Sequence, residues 1–133
     1  MIEEFRSQDQ LPGLDDAARA LVAGRVGAVL SAETTSPADR LAAEMLAQDI
    51  ARDVVEQVRC ALSNAIRNAH HLPRPLAMML AHDVDSVACP FLEVTEMFTE
   101  ADWQSLILTI SRNARVTVAR RENMPDSLAL SLA

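Results

Sequence analysis

A spacing recurs through the second half of this 133-residue chain and constrains its fold more than any other feature. Val58 of "VRCALSNAIRN", Val87 of "VACPFLEVTEM" and Val116 of "VTVARRENM" are evenly spaced. Their period of about 29 residues falls in the range of helical repeat units. A second evenly spaced landmark follows each valine, on a slightly shorter period: Pro73, Thr99 and Pro125. Each of these landmarks opens a segment whose apolar residues fall at helical spacing. The first holds Leu76, Met79 and Leu80; the second Trp103, Leu106, Ile107 and Ile110; the third Leu128 and Leu132. A helix–loop–helix unit of this size cannot bury its apolar face alone and does so by stacking on its neighbours. The spacing therefore predicts an all-α chain, a HEAT-like α-solenoid of stacked helical hairpins.

The residue types agree. Half of the chain is hydrophobic, yet it contains three Phe, one Trp and no Tyr. A core of Ala, Leu, Val, Ile and Met suits closely packed helices, whereas sheets draw on aromatic and β-branched side chains. Residues 1–13 read as an N-terminal arm ending at "LPG", and 14–133 as a single helical-repeat domain, large enough to bury a core without staples. Apolar spacing from Leu14 predicts a helix over 15–32. Gly24 and Gly27 lie inside it, and without turn residues around them they mark a close helix–helix crossing. Ser36 as N-cap, Pro37 at the first helical position and Asp39 in the first turn start a second helix that runs to about Arg52. Thr99 with Asp102 repeats the capping chemistry farther on.

The run "LAHDVDSVACPFLEVTEMFTEADWQSLILTISRNARVTVARRENMPDSLALSLA" resembles the bacterial DUF2336 family, whose domain is a stack of HEAT-like helical pairs. The matching residues are Leu80, Ala81 and Asp83; Val87, Ala88, Pro90 and Leu92; Thr99 and Asp102; and Val118, Ala119 and Arg121. "RLAAEMLAQDIARDVVEQVRCALSNAI" is similar to the preceding helices of the family, so the likeness spans about residues 40–133. The chain departs from it at Val94-Thr95-Glu96, where the family usually carries Ser-Pro. The resemblance implies a helical repeat fold, and no established activity comes with it.

Cys60 and Cys89 occupy one repeat position, and a further step of the valine period places Val118 third. A position that accepts Cys, Cys and Val is a buried packing site. Equivalent positions on stacked helices lie about 8–10 Å apart, beyond the roughly 7 Å Cα separation that a disulfide spans. Pro90 fits the first turn of a helix beginning near Ser86 or Val87. His70, His71 and His82, with Asp83, cluster at helix ends and offer the alternative of a small-ligand or metal-binding sensor, with Cys89 as a further ligand. No H-x₃-H, HExxH or CxxC spacing accompanies them, so structural or surface histidines and no cofactor are expected.

Nothing assembles for catalysis: no G-x-S-x-G, no S-x-x-K and no glycine-rich phosphate loop, so an enzyme is not expected. A net charge of −7 disfavours nucleic acid and anionic membrane as partners. No run of about 18 apolar residues encodes a membrane span. An acidic N-terminus and two cysteines point to the cytoplasm. What remains is protein contact. Arg112, Arg115, Arg120 and Arg121 form a late basic cluster suited to carboxylates or phosphate. The apolar "DSLALSLA" end and Trp103 predict an apolar patch for self-association or partner docking. The expectation is a non-enzymatic interaction or regulatory module, a homodimer, with Trp103, Arg112, Arg115, Arg121, Leu128 and Leu132 at the interface.

Overall fold

A computed structural model describes residues 13–122 and 124. Among them it contains seven α-helices and no strand: α1 (Asp16–Ser31), α2 (Pro37–Ile50), α3 (Glu56–Ile66), α4 (Arg74–Ala81), α5 (Asp85–Val94), α6 (Glu100–Leu106) and α7 (Arg112–Ala119). The all-α expectation is met. The N-terminal arm to residue 12, Pro125, Leu128 and Leu132 lie outside the described residues. No helix among the described residues is long and apolar enough to cross a membrane.

Local chemistry sets the boundaries. Asp15, Ser36, Thr99 and Ser111 each cap a helix by accepting a backbone N–H from within its first turn. Thr99 and Asp102 form a full capping box, each side chain accepting the other's backbone N–H, at 3.2 and 3.0 Å. Pro37 stands at the first position of α2, and Pro75 at the second of α4, where a missing N–H leaves no helical bond unmade. Arg40 reaches back from α2 to the carbonyls of Leu30 (3.3 Å) and Ala32 (2.8 Å), closing the end of α1.

The odd-numbered helices pack one on the next, α1 on α3, α3 on α5 and α5 on α7, while α2 packs on α1 and α4 on α5. α5 is the shared wall between two apolar clusters. Val87 and Phe91 belong to the first, with Leu30, Leu46, Leu62 and Leu76. Ala88 and Leu92 belong to the second, with Trp103, Leu106, Ala114 and Val118. Ile107 and Ile110, expected to continue α6, are buried in the turns that follow it.

The expected close crossing is real at one glycine and not at the other. A Cβ on Gly27 would stand 2.1 Å from the Cβ of Ala65 and 2.9 Å from its backbone carbonyl carbon, so α1 and α3 touch there without room for a methyl group. A Cβ on Gly24 would meet nothing within 4 Å.

Two details of the repeat are corrected. The helix caps Val55, Val84 and Ser111 are not evenly spaced: the third comes two residues earlier than the first interval would place it. Ala114, not Val116, takes the buried place of Val58 and Val87, and Val118 takes that of Leu62 and Phe91. Val116, rather than Val118, therefore corresponds to Cys60 and Cys89, and it is 42% exposed. Pro90 is also not in a first turn: α5 begins at Asp85, which puts Pro90 at its sixth residue.

Candidate functional site

The side chains that bind neighbouring helices together sit at equivalent places. Arg19 is the fourth residue of α1, and its Nε donates to Asp53 Oδ2 at 2.7 Å, its Nη2 to Asp53 Oδ1 at 3.2 Å, and its Nη1 to the Leu14 carbonyl at 2.7 Å. Arg59 is the fourth residue of α3 and repeats the pattern. Its Nε and Nη2 hold Asp83 at 2.8 and 3.2 Å, and its Nη1 donates to the Asp53 carbonyl at 2.7 Å. Each arginine thus clamps the turn before its own helix to the acidic residue before the next odd helix. The planar fork makes both bonds to the carboxylate at once. Arg19 and Asp53 are only 14% and 12% exposed, so water screens the pair weakly. Burial pushes the Asp53 carboxyl up, but the Arg19 hydrogen bond, the Val55 N–H and the charges of Arg19 and Arg59 together hold it below its ordinary value.

Sequence reasoning misses these clamps. Their signal is an arginine four residues into a helix with an aspartate two or three residues before the next odd helix. The pattern lapses in α5, where Ala88 holds the fourth position; α7 has Arg115 there, without such a clamp among the described residues.

A second link crosses α3/α5 and α5/α7. Glu56, first residue of α3, accepts a hydrogen bond from Ser86 Oγ of α5. Asp85, first residue of α5, accepts from Ser111 Oγ at 2.5 Å and Asn113 Nδ2 at 2.8 Å. Ser111 and then Asn113 lower the Asp85 carboxyl from its usual range.

The cysteines are free thiols, and each is half-buried rather than fully buried. Cys60 packs beside the first apolar cluster and Cys89 beside the second. Cys60 is more than filler: its Sγ lies 3.5 Å from the Ser86 carbonyl. That oxygen is the one left without a helical donor by Pro90, four residues on, which has no N–H.

The histidines do not converge. His70 and His71 line an open cleft with Leu30, Glu33 and Arg40. His82 closes the end of α4, its Nδ1 2.9 Å from the Met78 carbonyl and its Nε2 2.8 Å from Thr109 Oγ1. Among the described residues no three His, Cys, Asp or Glu side chains are grouped to hold a metal ion.

The expected interface residues divide. Trp103 is 5% exposed, wedged edge-on against Phe98 at 5.1 Å, so it is core and not an exposed patch. Arg121 covers that ring, its guanidinium 4.8 Å from the ring centroid, and donates to the Leu92 carbonyl at 2.7 Å and the Thr95 carbonyl at 2.8 Å. It is a C-terminal clasp for α5, and burial lowers its pKa against the opposing charge of Glu96. Arg112 and Arg120 are exposed and Arg115 is half-buried on α7. These three make no hydrogen bond or ion pair through their side chains among the described residues. Comparison of the chain with family models, curated proteins and solved structures finds no match.

Proposed function

We propose that this chain is a HEAT-like helical-repeat module of the DUF2336 type whose work is protein–protein contact, without catalysis, self-association included. The observation that carries this reading is the recurrence of one junction. α1/α3 and α3/α5 are joined by the same arginine clamp at the same place in the helix, and α5/α7 by the same acidic first residue as α3/α5. A fold made of one repeated junction presents related surfaces at its two ends, which is how stacked repeats build extended binding faces. The acidic balance supports protein over nucleic acid as the partner, and a reducing cytoplasm suits two free thiols.

The native mass of the protein, measured in its own cell extract and after purification, tests the proposal. A mass above the 14.5 kDa of one chain in the extract supports it. A mass of 14.5 kDa in both preparations overturns it.

A further inference from the structure

Among the described residues, the junction repeated inside the chain leaves one half unused on α7 and the other on α1. In α3, the fourth and fifth residues face α5: Arg59 holds Asp83, and Cys60 lies 3.7 Å from the Oγ of Ser86, the second residue of α5. The same two places in α7 are Arg115 and Val116. Arg115 makes no ion pair among the described residues, and Val116 is an exposed branched apolar side chain.

The complementary half lies on α1. The second residue of α5, Ser86, and the tenth of α3, Ala65, mark the side of each helix turned to its predecessor. In α1 that side carries Ala17, Leu21, Gly24 and Ala28, with Arg25 at the tenth place beside them; they share one face by their helical spacing, and all five are exposed. Leu21 is 70% exposed. Gly24 weakens the helix by about 1 kcal/mol relative to alanine, with no contact among the described residues that requires it. Apart from Arg25, α1 is thus apolar on both sides, a property of helices covered on both sides. At the start of this face stand Asp15, the N-cap of α1, and Asp16, its first residue, in the place that Glu56 holds in α3 and Asp85 in α5.

We infer that the α7 face of one copy docks on the α1 face of a second copy, head to tail, reproducing the internal junction between chains. The inference rests on the protein-contact reading above and names the partner. Charge favours it: the overall −7 repels, but this junction sets Arg112 and Arg115 against Asp15, which caps α1, and Asp16, which also holds Arg19 at 2.9 Å. Gly24 gives the incoming helix close approach, as Gly27 does for α3. Because the two surfaces differ, the contact is heterologous and does not stop at a dimer unless the rotation closes a ring.

Sedimentation velocity over a concentration series tests it, with wild type, Gly24→Met, Arg115→Glu, Ala17→Arg, and a one-to-one mixture of the last two. Gly24→Met fills open space in the free chain, so its thermal midpoint stays at or above that of wild type and a folding defect is separable from a docking defect. Wild type is expected to grow in mass with concentration. Each single variant is expected to need about tenfold more protein for the same growth, the effect of a lost or reversed contact at a charged junction. The mixture is expected to recover, because the new carboxylate on α7 then meets the new guanidinium on α1. Association unchanged in Gly24→Met and Arg115→Glu overturns the head-to-tail contact while leaving the protein-contact reading intact. A purified wild type that stays monomeric, yet runs larger in extract, does the same.

Discussion

Gly27 of α1 and Ala65 of α3 meet so closely that the glycine hydrogen occupies the only space between two helix backbones. The neighbouring atoms on the α3 side include backbone carbons, which cannot swing aside as the end of a long side chain could. Gly27→Ala is therefore expected to destabilise the fold by about 1–3 kcal/mol, the usual result of overpacking. Gly24→Ala, three residues away, meets open space and is expected to stabilise by up to about 1 kcal/mol through helix propensity alone. Urea unfolding of the two variants checks the opposite signs.

Pro90 and Cys60 form a compensated defect. The proline removes a helical hydrogen bond from the Ser86 carbonyl, and the thiol of the adjacent helix sits against that oxygen. Pro90→Ala restores an N–H and is expected to stabilise α5. Cys60→Ala is expected to cost about 1 kcal/mol in the natural background and about half of that in the Pro90→Ala background, since the carbonyl then has another donor. A double-mutant cycle reads the difference, and equal costs in both backgrounds would separate the thiol from the proline.

Arg121 holds two carbonyls at the end of α5 and covers the Trp103 ring. Arg121→Ala is expected to lose about 2–3 kcal/mol from the abandoned acceptors and the uncovered ring, with a red shift of Trp103 fluorescence. Arg121→Lys is expected to recover only part, because an ammonium lacks the fork. The single tryptophan makes the emission readout specific.

Much of this is legible in the residues, and the failures share one cause. Ser36-Pro37-Asp39 and Thr99-Asp102 announce their helices because capping is local chemistry. The glycine pair announces a crossing, but periodicity alone does not say that Gly27 faces α3 and Gly24 faces away. Equal valine spacing suggests an even repeat, whereas the cap at Ser111 starts α7 two residues early and turns Val116 outward. Trp103 and Arg121 read in the sequence as an exposed surface, yet each satisfies the other at the second apolar cluster. The arginine clamps escape such a reading because their partners lie 34 and 24 residues away, a distance that depends on loop lengths rather than on any fixed motif.

Acid is expected to unfold the protein through three carboxylates. Asp102 is lowered first by the Thr99 backbone N–H, against burial, and further by Arg74, which lies 2.5 Å away. Asp53 and Asp85 are lowered as well. A carboxylate depressed in the folded state contributes stability that is complete above its unfolded pKa, about 3.9. As pH falls below that value the unfolded chain binds more protons, and the contribution is lost down through the folded pKa. The urea midpoint should therefore hold from pH 7 to about pH 5 and decline below about pH 4. Asp102→Asn should lower it at pH 7 and flatten the decline, while a wild-type midpoint unchanged down to pH 3 would contradict the assignment.

The most direct measurement of the repeated junction is a directed cross-link. Cys60 Sγ and Ser86 Oγ stand 3.7 Å apart across α3/α5, and the same two places in α7 and α1 are Val116 and Ala17. In a background with Cys60→Ala and Cys89→Ala, Val116→Cys and Ala17→Cys proteins are mixed and oxidised. In a one-to-one mixture the mixed disulfide between the α7 and α1 positions is expected to form in clear excess over its share in random pairing, which by itself already exceeds either like-with-like product. A yield of the mixed product no greater than random pairing gives, or no cross-link at concentrations where wild type associates, would contradict it.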